Sequence, residues 1–140
     1  MLIGSYKHSL DAKKRMRIPS KFKNELGNNC IITKGSANNL FVFSQEQFSA
    51  LYEKMVNLPL FDEEAQKPVR KFLSSAFEAE EDGQGRVLLS KELIAHANIT
   101  KNVVFVGVGN RVEIWAEEEW NKQDKDTESS DVSILAKFGV

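Results

Sequence analysis

The hydrophobic positions of this chain form the same pattern twice. From Leu2 to Leu10 apolar and polar side chains roughly alternate, which is typical of a half-buried strand that leads into a turn. Later apolar positions have counterparts 71 or 72 residues further on: Ile18, Ile31, Leu40, Val42 and Phe48 match Leu89, Val103, Val112, Ile114 and Trp120. This spacing predicts an internal repeat. Each copy is expected to run strand, turn, strand, short helix, strand, turn, strand and helix, which is an α+β architecture.

Two amphipathic helices are predicted between the copies. Ser44 and Gln47 form a capping box, and the apolar positions that follow at helical spacing predict a core-facing helix, although this face could also serve a neighbouring subunit. The next helix is expected to begin near Lys67, so that Pro68 occupies its first turn. The resulting division has four parts: a first repeat over 1–48, a helical connection over 49–77, a second repeat over 78–120 and a mobile polar tail over 121–140.

The spacing Asp-x-x-x-Arg occurs once in each copy, at Asp11–Arg15 and at Asp82–Arg86. In a helix such a pair would be an ordinary surface ion pair worth a few tenths of a kcal/mol, on the order of 0.3. Gly83 and Gly85 argue against a helix, because two glycines cost a helix about 2 kcal/mol relative to alanine. Both motifs are therefore predicted to be turns.

Arginines presented from turns suit the recognition of anions. The planar guanidinium group of Arg15 or Arg86 can bind phosphate oxygens, or the O6/N7 edge of guanine, through two parallel hydrogen bonds. Asp11 and Asp82 are predicted to orient the arginines or to cap the backbone N–H groups of the turns. Three further cations beside the first motif are predicted to attract phosphate: Lys13, Lys14 and Arg17. The alternative for the lysines is a merely solvated turn.

The charge distribution agrees with this assignment, although the net charge of −1 alone argues against a generic nucleic-acid binder. Residues 1–35 carry eight Lys/Arg and two Asp/Glu, which gives +6, whereas residues 36–81 and 82–140 carry −4 and −3. The basic charge is therefore concentrated around the first motif.

Other classes of function find little support in the sequence. Cys30 is the single cysteine, which excludes an internal disulfide, and no apolar run is long enough to span a membrane. His8 and His96 stand alone, and isolated histidines are more often structural than metal ligands. We identify no catalytic residue, metal site or cofactor site. A non-enzymatic cytoplasmic protein is expected, with a hydrolase of unfamiliar type as a remaining alternative.

Several of these motifs resemble those of a known family. The opening Gly4-x-Tyr6-x-His8-x-Leu10-Asp11-x-x-x-Arg15, with Ile18-Pro19 after it, is similar to the start of the MraZ family. The second half resembles that family's second repeat through Asp82-x-x-Gly85-Arg86-Val87-Leu88-Leu89, Gly107-x-x-Asn110-Arg111 and Glu113-Ile114-Trp115. The likeness extends from Met1 to about Trp120. Ser90 departs from it, since the first repeat has proline at the matching position.

The resemblance implies a swapped-hairpin β-barrel of the AbrB type, built from the two repeats of one chain. It also implies a closed ring of identical subunits that binds double-stranded promoter DNA with tandem short repeats. Such proteins regulate the bacterial division and cell-wall gene cluster, in the cytoplasm and at the nucleoid. A ring-forming interaction protein without specific DNA binding is the alternative.

Overall fold

The repeated order of elements predicted from the sequence is confirmed. The computed structural model describes residues 1–125 and 131–140, and both copies run strand, strand, short helix, strand, strand, helix, with one extra helix between them. The first copy and the extra helix comprise β1 (Ser5–Ser9), β2 (Arg15–Arg17), α1 (Ser20–Leu26), β3 (Ile31–Lys34), β4 (Asn39–Phe43), α2 (Gln45–Val56) and α3 (Glu63–Ser75). The second comprises β5 (Phe77–Glu78), β6 (Arg86–Leu88), α4 (Lys91–His96), β7 (Asn102–Gly107), β8 (Val112–Ala116) and α5 (Glu117–Lys125).

Strands of the two repeats pair mainly with each other. Four of the six ladders between these strands join different repeats: β1 with β7, β2 with β6, β3 with β5 and β4 with β8. The large sheet has the strand order β1-β7-β8-β4-β3-β5. Replacing each strand by its counterpart in the other repeat gives the same order, read from the opposite edge of the sheet. Phe41 pairs with Glu113 at its centre. The chain therefore has an approximate twofold axis between β4 and β8.

In the part of the chain that the structure describes, the strands do not close into a barrel. Within residues 1–125 and 131–140 they form the open six-stranded sheet and a separate two-stranded ribbon of β2 and β6. Both the sheet and the ribbon are antiparallel, and helices accompany them along the chain. The prediction of an α+β fold is therefore confirmed, but the closed barrel is not.

One hydrophobic core serves both repeats. Its fully buried side chains include matched residues of the two copies: Met16 with Val87, and Phe22 with Leu93. Burying a side chain of this kind stabilises the fold by about 1.5–3 kcal/mol. Met16 and Val87 also face each other across the ribbon, which therefore covers the core with its inner side. The outer side of the ribbon is left for other contacts.

The prediction that α2 faces the core is wrong. No residue of α2 is buried, although the predicted cap is present, with the Ser44 side chain accepting a hydrogen bond from the Gln47 N–H. Phe48 instead stacks on Phe72 of α3, with ring centroids 6.5 Å apart. The two helices thus pack on each other outside the main core, and Phe61 in the loop between them is 95% exposed.

The predicted start of α3 is also wrong. The helix begins at Glu63, so Pro68 lies inside it and not in its first turn. The Asp62 carboxylate caps the N-terminus of α3 by accepting a hydrogen bond from the Glu64 N–H at 3.0 Å. Acidic residues in the first turn also favour the helix dipole, and these effects offset the hydrogen bond that proline removes.

The end of the chain contains helical structure on both sides of residues 126–130, which lie outside the described residues together with that part of the predicted tail. Among the described residues α5 covers Glu117–Lys125, and a 3-10 helix covers Val132–Phe138. None of the helices in the described ranges is both long enough and apolar enough to cross a membrane.

Candidate nucleic-acid interface

Asp11 organises the first motif as a turn. Its Oδ1 accepts hydrogen bonds from the backbone N–H groups of Lys13 and Arg15, both at 2.9 Å, and its Oδ2 accepts one from Arg15 Nε at 2.8 Å. The turn closes with the Lys14 N–H donating to the Asp11 carbonyl at 3.0 Å. Lys14 adopts the left-handed conformation, with φ of 64°. One carboxylate therefore shapes the backbone and holds the arginine.

The second motif has the same geometry, so the prediction of two turns is confirmed. Asp82 Oδ1 accepts from the backbone N–H groups of Gln84 at 2.8 Å and Arg86 at 2.9 Å, and its Oδ2 accepts from Arg86 Nε at 2.8 Å. Gly85 takes the place of Lys14, with φ of 74°. The conformation that glycine adopts freely in this copy is therefore imposed on a lysine in the other.

These hydrogen bonds favour the charged form of both carboxyl groups. The pKa of Asp82 is lowered to about 2, first because the Arg86 backbone N–H donates to it and further through the Gln84 N–H and the Arg86 side chain. The pKa of Asp11 is lowered in the same way, with the Arg15 backbone N–H as the largest cause. Both turns therefore hold ionised carboxylates at neutral pH.

The ribbon brings the two motifs side by side. In its register Arg15 lies opposite Leu88, and Arg17 lies opposite Arg86. Side chains alternate between the faces of a strand, so these four point away from the core while Met16 and Val87 point into it. Each arginine also approaches the aspartate of the other motif, with Arg15 Nη1 3.8 Å from Asp82 Oδ2 and Arg86 Nη1 3.9 Å from Asp11 Oδ2. We call the side chains of Arg15, Arg17, Arg86 and Leu88 the ribbon face.

The structure brings most, but not all, of the predicted residues together. Arg15, Arg17, Arg86 and Asp11 line one cleft of about 490 Å³, and Asp82 reaches Arg15 from the other turn. The two lysines diverge from this group: Lys13 is exposed at the tip of the turn, and Lys14 lines a different cleft of about 580 Å³, next to α4.

Sequence reasoning missed two residues of this region. The Nδ1 atom of His8 lies 3.0 Å from the Arg17 carbonyl oxygen, and its ring meets the edge of Phe105. His8 thus joins β1 to the ribbon and lines the cleft with the arginines. The other is Leu88, whose side chain is 61% exposed beside Arg15. Both belong to the motifs that resemble the family, but nothing local indicates that they lie beside the arginines, because the pairing of distant strands places both.

The free donors of the arginines define what this face can do chemically. Arg15 and Arg86 use Nε for their own aspartates, and the Nη contacts to the opposite aspartates are longer than hydrogen bonds. The outer N–H groups therefore remain available to acceptors such as phosphate or guanine oxygens. Among the described residues, no three His, Cys, Asp or Glu side chains are grouped so that they could hold a metal ion.

Comparison with known proteins supports the observed repeat. A family model described as "MraZ protein, putative antitoxin-like" matches the chain twice in succession, over residues 1–71 and 72–136. The chain belongs to the MraZ family. The resemblance noted in the motifs is therefore confirmed, and the two MraZ matches correspond to the two copies of the strand and helix order.

Relatives of similar length carry the family name. A protein of Caldanaerobacter subterraneus subsp. tengcongensis named "Transcriptional regulator MraZ" is 45% identical over 130 residues, 93% of this chain and 91% of that protein. Proteins with the same name from Carboxydothermus hydrogenoformans and Alkaliphilus oremlandii are 44% and 43% identical. The alignments cover 99% of this chain and 96% of the first, and 100% of this chain and of the second.

Proposed function

We propose that this MraZ-family chain is a sequence-specific DNA-binding regulator of transcription that uses the ribbon face. The observation that carries the proposal is the ribbon itself, which presents three arginines on one outward side, two of them held by Asp-x-x-x-Arg turns. The relatives named as transcriptional regulators support the same role.

The shape of the site favours the major groove. That groove is about 12 Å wide and admits a two-stranded β-ribbon, whose side chains then reach the base edges. In our proposal Arg15 and Arg86 bind guanine or phosphate through their outer N–H groups. Asp11 and Asp82 fix the direction of each guanidinium group before DNA arrives, which lowers the entropy lost on binding.

Lys13, Lys14 and Arg17 contribute phosphate attraction in this proposal. The carboxylates of Asp11 and Asp82 offset much of the charge of the two braced arginines, so long-range attraction to DNA needs additional cations. These three residues supply them from the first repeat only. Phosphate binding is therefore expected to be stronger on that side.

We further propose a closed ring of identical subunits and an arrangement related to AbrB-like swapped hairpins in an open, single-chain form. The exchanged strand pairs support the latter. Apolar side chains exposed after α2 support self-association: Leu58, Leu60 and Phe61. We keep the division into 1–48, 49–77, 78–120 and 121–140 as part of this proposal. Family membership supports tandem promoter repeats of the bacterial division and cell-wall cluster as the target, and a location at the nucleoid.

The deciding experiment is a mobility-shift titration with duplex DNA from the promoter of that cluster, at several salt concentrations. Binding should weaken linearly in log–log form as salt increases. Lys13→Gln with Lys14→Gln should reduce the slope by up to about 0.9 per lost phosphate contact in each engaged subunit, while sequence preference survives. The matched control is Lys54→Gln with Lys67→Gln, which removes two exposed lysines from α2 and α3 and should leave the slope unchanged.

The arginine variants test the base contacts. Arg86→Ala should cost about 1–3 kcal/mol per engaged subunit and relax discrimination at one base, since a bidentate contact is lost. If Arg86→Ala binds as tightly and as selectively as the parent, the second motif is structural only. Absence of salt-dependent binding by the parent protein would instead favour the ring-forming interaction protein, and light scattering on the same samples reports the number of subunits.

A further inference from the structure

The ribbon face has a symmetric backbone and an asymmetric set of side chains. The approximate twofold axis relates Arg15 to Arg86 and Arg17 to Leu88, since residues of the two repeats correspond at a spacing of 71 here. Three positions of the face are therefore cationic, and the fourth is an aliphatic side chain that is 61% exposed. Single exposed leucines are ordinary on protein surfaces, but this one occupies a defined position among DNA-directed arginines.

The neighbourhood of Leu88 restricts what it can contact. It lies directly opposite Arg15, and side chains opposite each other in an antiparallel pair have Cβ atoms about 4.5–5.5 Å apart. Arg15 is held by Asp11 through Nε, so its outer N–H groups have a fixed direction next to the leucine. A base edge that reaches Arg15 in the major groove therefore brings the adjacent base edge close to Leu88. The apolar feature of the major groove is the C5-methyl group of thymine.

We propose that Leu88 contacts the C5-methyl group of a thymine adjacent to the base bound by Arg15; this rests on the proposed function. The second repeat then reads an apolar group where the first repeat, through Arg17, contacts phosphate. The two ends of the ribbon differ, so each subunit reads its site in one direction. The DNA sequence that one subunit prefers is accordingly not palindromic, in spite of the twofold symmetry of the backbone.

The test removes only the methyl group. The probe is a duplex that carries the sequence enriched by the wild-type protein from a random-sequence pool, prepared either with thymine or with deoxyuridine at each position in turn. Loss of one buried methyl contact corresponds to about 0.8 kcal/mol, or about a fourfold weaker Kd per engaged subunit. Wild-type protein should show this loss at one position of each repeat of the site.

Three variants connect the effect to Leu88. Leu88→Ala should bind the thymine duplex about fourfold more weakly per engaged subunit and bind both duplexes equally. Leu88→Arg, which makes the two ends of the ribbon alike, should also abolish the thymine preference while steepening the salt dependence. Val108→Ala, at a 40% exposed valine in the β7–β8 turn, is the control and should keep the wild-type ratio.

The outcomes separate this inference from the proposed function. If the pool yields no enriched sequence, the proposed function fails. If an enriched sequence binds in a salt-dependent manner but deoxyuridine has no effect at any position, or the sequence has no fixed thymine, only the role of Leu88 is refuted. Equal weakening of both duplexes by Leu88→Ala, or a change in subunit number, would assign the leucine to folding or assembly and also overturn the inference.

Discussion

Replacement of Lys14 by glycine should change stability and DNA binding in opposite directions. Lys14 has φ of 64°, a left-handed conformation that Gly85 adopts at the matching position of the other turn with φ of 74°. The two residues donate equivalent hydrogen bonds, to the Asp11 and Asp82 carbonyls, both at 3.0 Å. Lys14→Gly therefore converts the first turn into a copy of the second without removing a backbone contact.

The expected magnitude follows from two opposing effects. The left-handed conformation costs a residue with a side chain about 1–2 kcal/mol. Glycine lowers that strain but loses about 0.5–1 kcal/mol more conformational entropy on folding. Lys14→Gly should therefore raise the free energy of unfolding by up to about 1 kcal/mol. Loss of one phosphate contact should at the same time reduce the salt slope of DNA binding by about 0.9 per engaged subunit.

The assay combines urea denaturation with the mobility-shift titration. Lys14→Ala separates the two effects, because it removes the charge but keeps a side chain in the left-handed conformation, so the slope should fall without a gain in stability. The reciprocal Gly85→Lys should lower the free energy of unfolding by about 1 kcal/mol through the left-handed conformation and not through a clash, since nothing lies closer than 3.8 Å to a Cβ built there. The added positive charge should steepen the salt slope of DNA binding. If Lys14→Gly and Lys14→Ala are equally stable, backbone strain at this position is not what distinguishes the turns.

Three further predictions concern the fold and the second turn. Gly107→Ala should destabilise the fold by about 2–4 kcal/mol, because its Cβ would lie 2.4 Å from the Ile3 backbone nitrogen; Gly83→Ala, with nothing within 4 Å, is the control, and similar denaturation midpoints would disprove the clash. The Asp82 carboxyl group should titrate near pH 2 by carbon NMR. Its folded-state pKa lies below the ordinary 3.8, so its contribution to stability is present above about pH 4 and is lost toward pH 2, and a midpoint near 4 would contradict this. Residues 1–71 alone should show no cooperative unfolding as a monomer by circular dichroism and light scattering, because each of their four strands loses a partner, and a cooperative monomeric transition would refute the shared core.

The turns could be predicted because their geometry is local. The glycines at 83 and 85 argue against a helix in the second copy. The repeat extends that conclusion to the first copy, where Lys14 occupies the position of Gly85. Helix caps such as Ser44 were equally readable, since a cap depends on residues three positions apart. The packing partner of the apolar face of α2 could not be predicted, because helical spacing reveals that a face is apolar but not which element covers it.

Strand register shows a second boundary of sequence reasoning. Matching Ile31 with Val103 placed the third strands of the two copies 72 residues apart. The ladders give 73, because Tyr6 pairs with Phe105 while its counterpart Phe77 pairs with Ile32. A shift of one residue moves every side chain of a strand to the other face. Only the partner strands, which lie in the other repeat, fix this register. The ribbon face could not be predicted from the sequence for the same reason, because its residues come from strands of different repeats.

The exchange of strands between repeats has a consequence during synthesis on the ribosome. β1 is made first, but its partner is β7, and Ser5 pairs with Val106 about 100 residues later. At roughly 5–20 residues per second, the nascent chain carries β1 without its partner for about 5 to 20 seconds. Neighbouring chains on one messenger RNA display the same strands in this interval, so a β1 from one chain can pair with a β7 from another. Ribosome spacing and translation speed over the α2–α3 region thereby become determinants of whether the chain closes on itself.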